Sequence, residues 1–123
     1  MNRCLYLLAA MILLSGCVQK ESMDSIADRV FAVAKEQSLQ MEERLTSVTL
    51  PRSIGKDGEF LSSDINWWCS GFYPGVLWYV YEYTGDAEIK KLAVSNTLKL
   101  EPLQYKAKDH DLGFQMNCSY GNA

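Results

Sequence analysis

The sequence has a single histidine, three prolines and no basic cluster longer than Lys90-Lys91. One histidine excludes the multi-histidine metal sites, and no metal or other cofactor is expected. The lack of a basic face, with a net charge of −3, argues against a nucleic-acid partner. CxxC pairs, an HExxH helix, a GxSxG elbow and a phosphate-binding loop are missing; "IGKDG" does not have the Walker spacing. No stretch alternates apolar and polar residues over strand length, which points away from sheet. The apolar run from Leu5 to Leu14 is too short to span a bilayer as a helix.

With 48% hydrophobic and 22% charged residues in 123 positions, the composition fits one folded domain. Aromatics crowd one region: Trp67, Trp68, Phe72, Tyr73, Trp78, Tyr79, Tyr81 and Tyr83.

Residues 1–16 read as a lipoprotein signal peptide. A basic start at Arg3 precedes the apolar run, which closes on Leu14-Ser15-Gly16-Cys17. That ending resembles a bacterial lipobox, so Cys17 is the expected lipidation site and mature N-terminus. Residues 17–22 then form a lipidated tether, and residues 23–123 the folded part. The expected location is the bacterial cell envelope, membrane-anchored and facing the periplasm or the cell exterior. Several acyl chains on one residue hold a protein stably at a bilayer. Cys4 leaves with the signal. Cys69 and Cys118 remain as small buried thiols; a bridge between them in an oxidising compartment is the alternative.

From Met23 to about Ser47, Ile26, Val30, Val33, Gln37, Met41 and Leu45 recur at three- and four-residue steps, which predicts a helix. Asp24 or Ser22 can cap it. Pro51, Gly55, Gly58 and the serines of "LPRSIGKDGEFLSSDINW" predict a long loop. Pro74 suits the first turn of a second helix, which Gly85 stops. Asp86 caps a third, with Ile89, Leu92, Ala93, Thr97 and Leu100 in phase, and Pro102 ends or kinks it. A fourth helix begins near Phe114. The glycines are read as helix ends and not as hairpin turns, so the expected class is all-α, built from helical hairpins.

Within the aromatic block, Trp78, Val80 and Tyr81 are read as core. Trp67 and Trp68, at a loop–helix junction, either offer a flat face to a sugar ring or seal the loop onto the core. "DHDLGF" sets the only imidazole between Asp109 and Asp111; taken alone, it reads as a capped turn.

Taken together, these segments resemble the family 88 glycoside hydrolases, the unsaturated glucuronyl hydrolases. The match runs through Trp68, Gly71-Phe72, Pro74-Gly75-Val76-Leu77-Trp78, the turn Thr84-Gly85-Asp86 and the box His110-Asp111-Leu112-Gly113-Phe114. Cys69 departs from the family's commoner Thr or Gly. The resemblance implies a six-hairpin α/α toroid and an unsaturated uronic-acid oligosaccharide as substrate. It implies Asp111 as one of two catalytic acids, with His110 and Trp68 lining the sugar subsite. A family toroid is several times longer than residues 23–123, and its second acid lies beyond "YGN". The chain is therefore expected to be an incomplete N-terminal part of the toroid, inactive alone. Two alternatives stand beside this: a fragment of an unsaturated rhamnogalacturonyl hydrolase, and a small helical carbohydrate-binding or interaction lipoprotein.

Overall fold

A computed structural model describes residues 20–107 and 109–123. The expected signal peptide and Cys17 lie outside the described residues. Helix α1 spans Met23–Glu42, and the Ser22 hydroxyl caps it by accepting from the Ser25 N–H at 3.1 Å. It ends before the expected Ser47. Beyond it, Thr49 Oγ1 accepts from Thr46 N–H at 2.9 Å, and Lys99 Nζ donates to the carbonyls of Thr46 and Thr49 at 3.1 and 3.2 Å. These bonds draw the chain into a turn where the helix would otherwise continue.

The packed face of α1 also differs from the expected stripe. Phe31, Ala34 and Leu39 meet the core, and Ser38 is buried, while Val30 and Val33 are exposed. Small side chains at Ala34 and Ser38 let α1 approach its neighbours, and Phe31 stacks on Tyr83 with ring centroids 4.0 Å apart. Apolar periodicity located the helix but chose the wrong side of it.

The expected long loop is in part a β-hairpin. Strands β1 (Leu50–Ile54) and β2 (Phe60–Ser63) pair antiparallel, Leu50 opposite Ser63 and Ile54 opposite Phe60, with an irregularity between Pro51 and Ser53. Gly55 and Gly58 thus mark a hairpin turn after all. Gly58 has φ 79°, Gly55 N–H donates to the Glu59 carbonyl at 2.8 Å, and the Glu59 carboxylate accepts from Asp57 N–H at 3.2 Å. Turn chemistry makes the hairpin. Its strands are mostly exposed, so they show no alternating pattern.

Helix α2 (Phe72–Thr84) ends at Gly85, whose φ is 67°, and α3 (Ala87–Leu98) follows at once. Asp86 caps α3 by accepting from the N–H groups of Glu88 and Ile89 at 2.8 and 3.1 Å. Its carboxylate also pairs with Lys35 of α1, binding the α2–α3 turn to the first helix. Pro102 opens a 3-10 stretch, Glu101–Tyr105, in place of further α-helix. Helix α4 spans Leu112–Ser119, starting two residues before the expected Phe114, and passes into a 3-10 turn at Tyr120–Asn122.

Leu77, Val80, Ile89 and Ala93 form the core between α2 and α3, with Trp78 and Tyr81 packed at its edge. Leu50, Leu100 and Leu103 make a second cluster beneath the hairpin and α4, and Tyr73 touches both. Among the described residues no helix is long and apolar enough to cross a membrane.

Candidate functional site

The two sequence motifs meet where α2 crosses α4. Gly71 and Gly75, one helical turn apart, face α4 at backbone distance. A Cβ on Gly71 would fall 2.2 Å from the Gln115 carbonyl oxygen, and one on Gly75 would fall 2.3 Å from that of Cys118. Real Cβ atoms do not come that close, so the glycines of "GFYPG" let "DLGFQMNCS" lie against them.

Between them runs the turn from Asp64 to Gly71. Asp64 Oδ1 accepts from Asn66 N–H at 2.9 Å, and Ser70 N–H donates to the Trp67 carbonyl at 2.9 Å. The Gln115 side chain reaches into this turn from α4 and donates to the carbonyls of Ile65 and Trp67, each at 3.0 Å. Trp68 is the next residue, 45% exposed, with its ring edge-on to Phe72 at 5.5 Å. Trp68 therefore does not seal a loop onto the core. Trp67 is 37% exposed, with the Arg52 guanidinium stacked 3.8 Å from its ring centroid.

In the box itself, Asp109 and Asp111 divide the work. Asp109 Oδ1 accepts from Asp111 N–H at 3.1 Å, and Asp109 Oδ2 faces Lys106 Nζ at 3.4 Å. The backbone hydrogen bond, with the nearby cations, holds the Asp109 carboxyl below its ordinary range. Asp111 precedes α4 but its carboxylate caps no helix N–H. It lies 3.3 Å from Nε2 of His110, whose side chain is 92% exposed. The capped turn expected of "DHDLGF" is thus made by Asp109, and the Asp111 carboxylate is left for other use.

One ligand atom each from Asp109, His110 and Asp111 lies within 4.8 Å of the others. A cation there would compete with Lys106 for Asp109 and with a main-chain N–H for the same carboxylate, so the set is poorly suited to a metal. A groove of about 480 Å³ is lined by Trp78, Tyr81, Glu82, Lys90, Asn122 and Ala123, none of them a candidate site residue.

The site residue that sequence reasoning missed is Gln115. It is fully buried and joins both motifs. Nothing in its local sequence separates it from an ordinary polar helix residue. Cys69 and Cys118 are both free thiols, and half-buried where buried ones were expected.

No family model matches the chain. An unsaturated glucuronyl hydrolase of Formosa agariphila is 43% identical over 54 residues, which are 44% of this chain and 14% of that protein. An unsaturated chondroitin disaccharide hydrolase of Streptococcus pyogenes serotype M1 is 33% identical over 98 residues, 76% of this chain and 24% of that protein. The solved structure of an unsaturated glucuronyl hydrolase specific for heparin superposes with a TM-score of 0.73 at 39% identity, over 77% of this chain and 26% of its own. Fold and motifs together define part of an α/α-toroid glycoside hydrolase scaffold, with helices and one two-stranded sheet among the described residues. The chain matches part of the unsaturated glucuronyl hydrolases, glycoside hydrolase family 88. It spans 14 to 26% of the length of these relatives.

Proposed function

We propose that this chain forms one wall of the active site of an unsaturated glucuronyl hydrolase. Such an enzyme removes the 4,5-unsaturated uronic acid that polysaccharide lyases leave at the end of an oligosaccharide. An acid protonates C4 of the vinyl ether, and water, losing a proton to a base, adds at C5. The hemiketal so formed opens at the C5–O5 bond, and collapse at C1 then releases the remaining sugar. Asp111 is one of the two acids, and His110 and Trp68 contact the unsaturated sugar. Residues 23–123 correspond to only 14 to 26% of such enzymes, so on this reading they do not turn over substrate alone. The heparin and chondroitin relatives favour an anionic glycosaminoglycan disaccharide over rhamnogalacturonan.

The observation that supports this reading best is the division between the two aspartates. Asp109 makes the turn, so a second carboxylate held beside an imidazole has no structural task of its own. The test is Asp111→Asn against Asp109→Asn in a hydrolase carrying this segment with the rest of the toroid. Asp111→Asn should lower kcat by roughly 10²–10⁴-fold, as for a lost general acid or base, with disaccharide binding retained. Asp109→Asn should stay within a few-fold of wild type. Equal activities would remove Asp111 from the chemistry.

The lipobox ending at Cys17 supports a further part of the reading: the enzyme works at the cell envelope, anchored by lipid on that cysteine. There it would meet oligosaccharides released by lyases outside the cytoplasm.

A further inference from the structure

Gln115 has two amide hydrogens and three acceptors around its nitrogen: the carbonyls of Ile65 and Trp67 at 3.0 Å and Ser70 Oγ at 3.1 Å. The Ser70 hydroxyl is itself committed as donor to the Ile65 carbonyl at 2.9 Å. Gln115 and Ser70 are 0% and 1% exposed, so water does not satisfy these groups from outside. The main chain of Gln115 is equally engaged. Its N–H donates to the Asp111 carbonyl at 3.2 Å, and its carbonyl accepts from Ser119 Oγ at 2.6 Å and abuts Gly71. One residue thus connects the backbone of Asp111, through two hydrogen bonds and one side chain, to the residue preceding Trp68.

We infer that Gln115 is a positioning residue of the sugar subsite, fixing the Trp67–Trp68 turn at a set height relative to Asp111. This rests on the function proposed above. Two turn carbonyls point into the protein and need donors there. A donor from α4, and not from the turn itself, ties the turn to the helix that the Asp111 box opens. No apolar side chain could do this. A glutamate of the same shape could not either, since the ionised oxygen replacing Nε2 would face the same three acceptors.

A packing role predicts lost stability only; a positioning role predicts altered substrate affinity in molecules that are fully folded. Gln115→Leu and Gln115→Glu should be compared with wild type in the hydrolase carrying this segment, at a temperature where circular dichroism shows all three folded. The probe is an unsaturated chondroitin or heparin disaccharide. Gln115→Leu should raise KM about 10-fold or more at every pH, with a smaller fall in kcat. Gln115→Glu should share that defect at neutral pH and recover part of it at acid pH, where a protonated carboxyl can again donate to one carbonyl. Amide exchange at Ser70, whose N–H bonds the Trp67 carbonyl, should speed up in both variants. If Gln115→Leu leaves KM and Ser70 exchange unchanged, the inference is overturned. If either variant fails to fold in that context, Ser70 exchange in Gln115→Asn, whose shorter amide cannot span the gap, decides in the same way. A wild-type enzyme with no hydrolytic activity overturns the proposed function instead, and the exchange data still show whether Gln115 holds the turn.

Discussion

The Gly71 Cα lies so close to Gln115 that a methyl group on it would sit 2.2 Å from the Gln115 carbonyl oxygen. The neighbour is backbone within α4 and cannot rotate away. Gly71→Ala should therefore push α2 and α4 apart and destabilise the fold by about 1–3 kcal/mol, the usual cost of overpacking. Gly113, inside α4, has nothing within 4 Å of a built Cβ. Gly113→Ala should be neutral or stabilising by up to about 1 kcal/mol, because Ala favours helix. Urea midpoints of the two variants check this pair; a Gly71→Ala midpoint equal to wild type would show that the helices do not meet there.

The cap and ion pair at Asp86 give stability a defined pH dependence. Lys35 foremost, and the N–H groups of Ile89 and Glu88, hold the Asp86 carboxyl below its ordinary range. A depressed folded-state pKa means that the stabilisation is present above the unfolded value and is lost as pH falls through the folded one. Asp86→Asn keeps a capping oxygen and removes the charge. Its melting temperature should lie below wild type at pH 7, and the two should converge below about pH 4, where an unfolded aspartate is protonated. A gap that persists unchanged at acid pH would assign the effect to shape and not charge.

Substrate affinity should depend on Trp68 more than on Trp67. Trp68 is the more exposed of the two, while the Trp67 face is covered by Arg52. In a hydrolase carrying this segment with the rest of the toroid, Trp68→Ala should raise KM by roughly 10-fold, which corresponds to about 1.4 kcal/mol. His110→Ala should also act mainly on KM, and Trp67→Ala should be milder than Trp68→Ala. Steady-state kinetics on the unsaturated disaccharide separate these outcomes.

On the proposed lipid anchor, Cys17→Ser should leave an unprocessed precursor, because a lipobox cysteine is both the acceptor of lipid and the first mature residue. Mass spectrometry of the N-terminus and fractionation of membranes give the readout. Normal processing with loss from the membrane fraction would refute the lipid anchor.

Much of the fold was legible because it rests on local chemistry. Ser22 and Asp86 cap helices through their own side chains, Gly85 stops one by its left-handed φ, and Pro102 diverts another by lacking an N–H. The box around Asp111 was visible as a motif for the same reason: its residues are neighbours in the chain. What only the tertiary structure decided depends on partners far away in sequence. Local periodicity could not tell which face of α1 packs, since its two apolar flanks compete and Tyr83, more than fifty residues on, stacks on Phe31. The hairpin escaped notice because its strands are mostly exposed beyond Leu50 and so have no alternation to detect. Asp109 and Asp111 look alike in the sequence; the backbone bend decides that one makes the turn and the other is free. Gln115 is the clearest case, because its role is set by carbonyls 48 and 50 positions earlier, and only folding brings them within hydrogen-bond reach.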